Sequence, residues 1–427
     1  MQIEQLYQLY LQYPSVQTDT RKLKAGDLFF ALKGDHFNGN LFAKQALEKG
    51  AAAVIVDEDP GFTDERIHKT DDVLTTLQHL ALHHRKQFNI PFLAITGSNG
   101  KTTTKELIHA VLSTRYKTYT TEGNLNNHIG IPLTLLKIGQ DAEIAVVEMG
   151  ANHQKEIEGY CQYTLPTHGI INNCGKAHLE GFGGIEGVRK GKGELFDFIR
   201  QHNGTIFINA DYEYLQTMSH GISHQITYGT QHAETTGVVV EHDPFLKVVV
   251  TNATVNGTIQ TQLVGDYNLP NLLAAVAVGA YFKVPEAKII HALEHYKPSN
   301  SRSQMVLKDG NHIILDAYNA NPSSMKLAIE NFAKVQASKK ILMLGSMAEL
   351  GTESETEHRA IVELIRHFTW DHVVLVGPEF ERLGHEFLSF RNAEEARQWY
   401  LEQHFSSAHL LIKGSRSMKM ERIIESA

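Results

Sequence analysis

The sequence predicts an α/β protein of three domains, and two observations lead to this prediction. At 427 residues, the chain is long enough for two or three domains. Short apolar runs alternate with segments of helical apolar spacing through the middle of the chain and again near its end, as in doubly wound sheets. We place the domains at residues 1–91, 92–298 and 299–427.

The first domain has the pattern of a small α/β unit. Its predicted elements are a helix over residues 1–13, a strand over 27–32, a helix over 42–49 that ends at Gly50, and a strand over 51–56. On composition alone, Thr20-Arg21 and Lys33-Gly34 would be surface turns.

The second domain begins with FLAITGSNGKTTT, residues 92–104, in which a buried strand runs through a glycine-rich turn into a helix. Such a turn lets backbone N–H groups approach an anion, and the helix N-terminus adds the positive end of its dipole. Lys101 would then lie on the β- and γ-phosphates, and the Thr102 hydroxyl would ligate Mg²⁺. The usual motif has a further glycine where this chain has Ile95, so the loop is a shortened GxxGKT variant. We therefore expect a P-loop-type ATPase domain rather than a purely structural turn.

Two further strands of this domain end in candidate metal ligands. Glu148 directly follows a buried strand over residues 144–147, at the edge where α/β sheets bind ligands. His178 lies in a glycine-rich loop after a predicted strand over 168–172, which is where a metal ligand is often found. The alternatives are a solvent-facing acid and a structural histidine.

The rest of the second domain contains three predicted parts. A helix over 186–200 carries Arg189, Lys190 and Lys192, a charge run of the kind that normally faces solvent. Alternating β-branched residues from about Tyr228 to Leu263 predict an antiparallel section, and residues 265–282 predict a helix.

A linker over Lys297–Ser301 leads to the third domain, for which we predict a Rossmann-like fold. Its predicted strands cover residues 313–316, 340–344, 373–376 and 410–413, and its helices include 324–335, 357–368 and 393–402.

Composition and charge exclude several classes of protein. A formal net charge of −8 argues against a nucleic-acid-binding surface. The two cysteines, Cys161 and Cys174, cannot form a disulfide framework and are expected to be buried thiols. The N-terminus lacks the basic region of a signal peptide, and the longest apolar stretch, 272–280, is too short to span a bilayer. We expect a cytoplasmic protein without membrane insertion.

Nine motifs spread over nearly the whole chain resemble those of the Mur ligases. They are TDTR with GDLFFALKG, TGSNGKTTTKE, EGNLNNHIGIPLTLL, VVEMGANHQKEI, NCGKAHLEGFG, GKGELF, LDAYNANPSSM, GSMAELG and LIKGSRSMKME. The phosphate loop alone is shared with folylpolyglutamate synthases. EMGANH and AYNANP are more specific, and they resemble the members that add D-alanyl-D-alanine to UDP-N-acetylmuramoyl-tripeptide.

The resemblance implies an ATP- and Mg²⁺-dependent ligase of peptidoglycan precursor synthesis, acting as a monomer. ATP would phosphorylate the terminal carboxylate of the tripeptide, and the amine of D-alanyl-D-alanine would attack the acyl phosphate. Clustered cations would position the two anions and stabilise the spreading charge.

The resemblance also implies a set of site residues. The phosphates of ATP would be held by Gly97, Ser98, Asn99, Gly100, Lys101, Thr102 and Thr103, and its adenosine and phosphates would contact Asn268, Asn271, Arg302 and Asp316. The catalytic and metal-associated residues would be Lys101, Thr102, Glu148, His178 and a carbamylated Lys192. The substrates would contact Thr20, Arg21, Lys33, Gly34, Asn126, Asn127, Asn319 and Asn321.

Five positions depart from the family pattern. Tyr267 stands where a histidine is common, Ala317 and Ser346 replace aspartates, and Asn38-Gly39-Asn40 replaces Asp-Gly-His. None of these changes removes a phosphate or metal ligand.

Other functions remain open from the sequence. The nearest are a Mur ligase adding the third peptide residue and a folylpolyglutamate synthase, against which AYNANP and the short first domain argue. A nucleotide-dependent switch or a binding scaffold is the non-enzyme alternative, and it would not need His178 and Lys192 in addition to Glu148. The identity of the third residue of the tripeptide, lysine or diaminopimelate, also stays open.

Overall fold

The computed structural model describes residues 2–241, 243–299 and 301–425, and it confirms the predicted α/β class. The strands, in chain order, are β1 Val16–Gln17, β2 Leu28–Phe30, β3 Lys33–Gly34, β4 Phe37–Asn38, β5 Ala53–Val56, β6 Ile67–Lys69, β7 Phe92–Thr96, β8 Thr118–Thr120, β9 Ile144–Glu148, β10 His168–Ile171, β11 Thr205–Asn209, β12 His224–Gly229, β13 Thr235–Glu241, β14 Lys247–Asn252, β15 Asn256–Gln260, β16 Gln304–Lys308, β17 Asn311–Asp316, β18 Lys340–Gly345, β19 His372–Val376, β20 Leu388–Phe390 and β21 His409–Lys413.

Helices connect most of these strands. In chain order they are α1 Ile3–Gln12, α2 Ala43–Glu48, α3 Val73–Arg85, α4 Lys101–Leu112, α5 Gly130–Leu135, α6 Glu156–Thr164, α7 Leu179–Phe182, α8 Ile185–Gln201, α9 Glu213–Met218, α10 Leu269–Tyr281, α11 Glu286–His295, α12 Pro322–Lys334, α13 Ser354–Arg366, α14 Pro378–Glu381 and α15 Ala393–Glu402. No helix among the described residues combines the length and apolar character needed to cross a membrane.

The first of two compact units comprises Met1–Ala94, Tyr116–Ala151 and Lys155–Gly169. Its N-terminal sheet has the order β1-β2-β5-β6, with every neighbouring pair parallel. β8 and β9 also pair in parallel, and β9 is buried along its whole length. Glu148 therefore ends a buried parallel strand, as the sequence predicts.

The second unit comprises Ile95–Arg115, Asn152–Gln154 and Ile170–Ala427. Its strands β11 and β12 pair in parallel, and β13, β14 and β15 form an antiparallel section. The prediction of an antiparallel section is confirmed for these last three strands but wrong at its start, near Tyr228. β12 pairs in parallel with β11 over five residue pairs, and it also pairs in parallel with β13, through Tyr228 and Gly229.

The C-terminal sheet of this unit has the order β16-β17-β21-β18-β19-β20. Its strands are parallel except β16, which pairs antiparallel with β17, and this confirms the Rossmann-like prediction. The sequence did not predict β16 or β20, because these edge strands include exposed residues and their apolar stretches are too short to stand out, three residues in β16 and none longer than one in β20.

Two smaller expectations concern the cysteines and the linker. Cys161 and Cys174 are both buried and neither forms a disulfide, as expected. The predicted linker Lys297–Ser301 contains Asn300, which lies outside the described residues. The domain boundaries at residues 91/92 and 298/299 stay a prediction.

Candidate functional site

The loop between β7 and α4 has the backbone that an anion cradle requires. Gly97 and Gly100 have φ angles of 145° and 78°, a region that side-chain-bearing residues rarely adopt. A Cβ on Gly100 would lie 2.5 Å from the Oδ1 atom of Asn271, so no larger residue fits there. α4 begins at Lys101, so its first backbone N–H groups, which have no partner within the helix, follow directly after the loop.

The side-chain amine of Lys101 contacts the backbone of the glycine-rich loop that precedes it. Its Nζ atom donates to the carbonyl oxygens of Gly97, at 2.6 Å, and Ser98, at 3.3 Å. Thr102 is buried and Thr103 is half-buried in the first turn of α4. A cation and a hydroxyl are therefore held beside the glycine-rich turn.

Buried asparagine side chains and one threonine hydroxyl form a chain of hydrogen bonds next to the loop. Asn172 donates through Nδ2 to the Thr104 hydroxyl, at 2.8 Å, and this hydroxyl donates to Asn271 Oδ1, at 3.0 Å. Asn271 then donates to Asn268 Oδ1, and Asn268 donates to the Val264 carbonyl, both at 2.8 Å. Neither Asn172 nor Thr104 was predicted as a site residue. Asn172 is the last residue of the predicted strand 168–172, and this position at the carboxyl end of a strand could have indicated its role.

Asn173 holds the middle of the loop through its backbone and its side chain. The N–H of Ser98 donates to the Asn173 carbonyl at 2.9 Å, and the N–H of Asn99 donates to Asn173 Oδ1 at 3.0 Å. In return, Asn173 Nδ2 donates to the Asn99 carbonyl at 3.2 Å. The Ser98 hydroxyl donates to the Gly175 carbonyl at 2.9 Å. The loop conformation therefore depends on the segment after β10.

His178 is fixed by a carboxylate that is distant in sequence. Its Nδ1 atom lies 2.5 Å from Glu349 Oε2. The hydrogen bond to His178 lowers the pKa of Glu349 below its usual range. Because Nδ1 faces the Glu349 carboxylate, Nε2 is the nitrogen that could ligate a metal, with Glu349 orienting the ring. Glu349 lies in the quoted motif GSMAELG, but no role was predicted for it.

Lys192 corrects the expectation that the basic face of α8 is solvated. Its side chain is buried, with 1% of the residue exposed, and its Nζ atom lies 5.0 Å from the centre of the Phe182 ring. Lys190, two residues earlier, is exposed. A Cβ on Gly191 would lie 2.4 Å from the Phe182 ring, so this glycine makes room for the ring.

The predicted nucleotide residues of the C-terminal sheet lie near aromatic and basic neighbours. The guanidinium of Arg302 stacks 3.5 Å from the centre of the Tyr318 ring. Asp316 accepts from Lys413 Nζ at 2.6 Å, and Lys413 also donates to the Asn319 carbonyl at 3.2 Å. Lys413 is buried at the end of β21, and no role was predicted for it from the sequence.

Glu148, in the first unit, has one carboxylate oxygen that is satisfied and one that is not. Oε1 accepts from Asn126 Nδ2 at 2.8 Å, whereas Oε2 is buried and has no hydrogen-bond partner. The Asn127 side chain accepts from the N–H of Gly130, the first residue of α5, at 2.8 Å. A buried carboxylate oxygen without a donor is the kind of ligand that Mg²⁺ prefers.

Four further residues that were predicted to contact the substrates lie at or near the surface of the first unit. Arg21 forms a two-pronged ion pair with Asp19, whose pKa falls to about 2 because Arg21 donates hydrogen bonds to it. The amine of Lys33 lies 3.2 Å from Asp57, and Gly34 pairs with β4 in a short hairpin. The Thr20 carbonyl accepts from a lysine amine at 2.7 Å.

No preformed metal cage exists in the part of the chain that the structure describes, since no group of three or more His, Cys, Asp or Glu side chains converges there. A metal at Glu148 or His178 would therefore need ligands from a substrate or a hydroxyl.

Comparisons with known proteins cover nearly the whole chain. Three family models match: "Mur ligase family, catalytic domain" over residues 12–92, "Mur ligase middle domain" over 95–279, and "Mur ligase, glutamate ligase domain" over 301–416. The UDP-N-acetylmuramoyl-tripeptide–D-alanyl-D-alanine ligase of Bacillus subtilis is 35% identical, over 96% of this chain and 92% of its own length.

Two solved structures are similar in fold. A crystal structure of MurF from Acinetobacter baumannii has a TM-score of 0.89 at 28% identity, covering 99% of this chain and 97% of its own. MurF from Thermotoga maritima, in complex with ADP, has a TM-score of 0.87 at 25% identity, covering 97% of both chains.

The buried amide chain generates a prediction about Thr104. Thr104→Val keeps the side-chain shape but removes the hydroxyl that joins Asn172 to Asn271. Buried amide atoms would lose a partner, so we expect the free energy of unfolding to fall by about 1–3 kcal/mol and adenine-nucleotide affinity to weaken. Urea unfolding and nucleotide titration measure the two effects.

The matched control is Thr217→Val, because the Thr217 hydroxyl is exposed and donates to a carbonyl in its own helix. If the two variants have the same stability and nucleotide affinity, Thr104 does not support the loop.

Proposed function

The chain belongs to the Mur ligase family, and from this premise we infer that it joins D-alanyl-D-alanine to UDP-N-acetylmuramoyl-tripeptide with the consumption of ATP. The tripeptide carboxylate takes the γ-phosphoryl group and becomes an acyl phosphate. ADP is the product of this first step. The amine of the dipeptide then attacks the carbonyl of the acyl phosphate, and the tetrahedral intermediate collapses with release of phosphate. The observation that carries this conclusion is the glycine-rich loop at the start of α4, in a chain 35% identical to a ligase of this name over nearly its full length.

The loop supplies positioning and positive charge for the triphosphate. We assign the phosphates to Gly97, Ser98, Asn99, Gly100, Lys101, Thr102 and Thr103. The amine of Lys101 donates to two loop carbonyl oxygens in this structure. When ATP binds, it would donate to the phosphate oxygens instead. Fixed donors aimed at the charge that develops during phosphoryl transfer are the main catalytic effect in such sites.

For Mg²⁺, the residues present fit the ion. We propose the Glu148 carboxylate as a Mg²⁺ ligand, on the support of its unpartnered Oε2 atom, and we propose the Thr102 hydroxyl of the phosphate loop as a Mg²⁺ ligand as well. His178, oriented by Glu349, would bind a second ion through Nε2. Bound Mg²⁺ would neutralise the charge of the phosphate and carboxylate oxygens.

The remaining assignments concern the nucleoside and the substrates. We propose Asn268 and Asn271 for the adenine, Arg302 for the phosphates and Asp316 for the ribose. The Arg302 guanidinium stacks on the Tyr318 ring, and Lys413 donates to Asp316. For the substrates we propose Thr20, Arg21, Lys33 and Gly34 around the uridine nucleotide, Asn126 and Asn127 along the sugar and peptide, and Asn319 and Asn321 in the loop that receives the dipeptide.

We further propose that the protein acts as a monomer in the cytoplasm. Every residue assigned above comes from one chain, and ATP and reduced thiols, such as its two buried cysteines, belong to that compartment.

The experiment that tests this function is a phosphate-release assay with each substrate left out in turn. We expect release from ATP only when both the UDP-linked tripeptide and D-alanyl-D-alanine are present, with formation of the pentapeptide product. Parallel assays with tripeptides ending in lysine and in diaminopimelate identify the preferred peptide. Release from ATP alone would indicate a switch, and ligation of a single amino acid to a shorter peptide would indicate a ligase for the third residue.

Lys192 generates a second prediction, because its buried side chain allows two chemical states. As an ammonium it would be stabilised by the face of the Phe182 ring. We propose that it is carbamylated instead, since a carbamate supplies anionic oxygens that suit Mg²⁺. Lys192→Ala should then lose most ligase activity and recover part of it with added formate or acetate.

The matched control is Lys190→Ala, which removes an exposed amine from the same helix and should remain active. Full activity in Lys192→Arg, which keeps a cation above Phe182, would contradict the carbamate.

A further inference from the structure

The first turn of α12 contacts the phosphate loop directly. Asn321, the residue before this helix, is 9% exposed, and its Nδ2 atom donates to the side-chain oxygen of Asn99 at 2.8 Å. The two residues are 222 positions apart in sequence but lie in the same compact unit. Asn99 is the residue between Ser98 and Gly100, in the middle of the loop.

The orientation of this bond follows from helix capping. The Oδ1 atom of Asn321 accepts the N–H of Ser324 at 2.9 Å, which caps the start of α12. With Oδ1 engaged, the amide must direct its nitrogen toward Asn99, and Asn99 must present its oxygen. The backbone of Asn99 is already held on both sides by Asn173. Asn321 therefore fixes the remaining freedom of Asn99, its side chain.

A second contact runs from the same turn to the neighbouring segment. The N–H of Lys176 donates to the Ser323 hydroxyl at 3.0 Å. A Cβ on Gly175 would lie 2.9 Å from this hydroxyl oxygen and 3.4 Å from the Asn99 amide nitrogen. Gly175 thus permits the turn of α12 to approach both sides of the loop at once. The Lys176 amine, 2.5 Å from Glu357 on α13, adds an ion pair between the same parts of the unit.

We propose that Asn321 is a positioning residue for ATP, which sets the Asn99 side chain and through it the phosphate loop. The proposal rests on the ligase function above and deepens it. The loop AYNANPSS, which we assign to the dipeptide, would thereby also shape the site of the nucleotide. Asn321 then contributes to phosphoryl transfer without touching the transferred group, and this separates its role from that of a dipeptide contact.

Asn321→Ser tests the proposal, because serine caps a helix as well as asparagine but is too short to reach Asn99. The matched control is Asn392→Ser, which makes the same change at the residue that caps α15 through the N–H of Glu395. We expect Asn321→Ser to raise KM for ATP about tenfold, as for a lost hydrogen bond. Its KM for D-alanyl-D-alanine, which reports on the dipeptide contact assigned to the same residue, should rise less than its KM for ATP, and its melting temperature should match that of the control.

A double-mutant cycle with Asn99→Ser then tests the pair itself. If the two side chains act through their bond, the double variant should be no more impaired toward ATP than the worse single variant. Kinetics of Asn321→Ser equal to those of Asn392→Ser, a change confined to the KM of the dipeptide, or fully additive effects would each overturn the proposal. Absence of ligation by the unmodified chain would instead refute the function on which the proposal rests.

Discussion

The site depends on the backbone conformation of the loop from Gly97 to Gly100. Its N–H groups must remain accessible to an anion, and the two residues with positive φ, Gly97 and Gly100, must carry no side chain. A loop with this backbone has no regular hydrogen-bonding partners of its own, so other parts of the chain must provide them. Asparagine side chains do so, because each carries both donors and an acceptor. Asn173 holds the middle of the loop, while Asn172 and Asn271 meet at Thr104 below it.

This arrangement links the phosphate site to distant segments of the chain. Asn172 and Asn271 both bond to the Thr104 hydroxyl, which is 68 residues from Asn172 and 167 residues from Asn271 along the sequence. The loop can therefore reach its working conformation only when β10, α4 and α10 have packed together. The C-terminal sheet adds to this through Asn321, so the part of the chain that we assign to the dipeptide also contacts the nucleotide loop. On this assignment, the two half-reactions would use one hydrogen-bonded scaffold.

The parts of the site that the sequence predicted have local signals. An apolar run followed by two glycines and Lys101 identifies the loop, and an acid directly after an apolar run places Glu148 at the end of β9. What the sequence could not predict is the packing around these residues. Lys192 and Lys190 lie in the same charge run, but in the folded chain Lys192 is buried beside Phe182 and Lys190 is exposed. Pairs such as His178 with Glu349 join side chains that no spacing rule connects.

The central claim is that the chain activates a carboxylate by phosphoryl transfer, and oxygen labelling tests it most directly. UDP-N-acetylmuramoyl-tripeptide with ¹⁸O in its terminal carboxylate is converted with ATP and D-alanyl-D-alanine, and the released phosphate is analysed by mass spectrometry. The account predicts one ¹⁸O atom in each phosphate, because the carboxylate oxygen that attacks the γ-phosphorus leaves with it. Unlabelled phosphate formed together with the pentapeptide product would contradict an acyl phosphate and with it the assigned role of the phosphate loop.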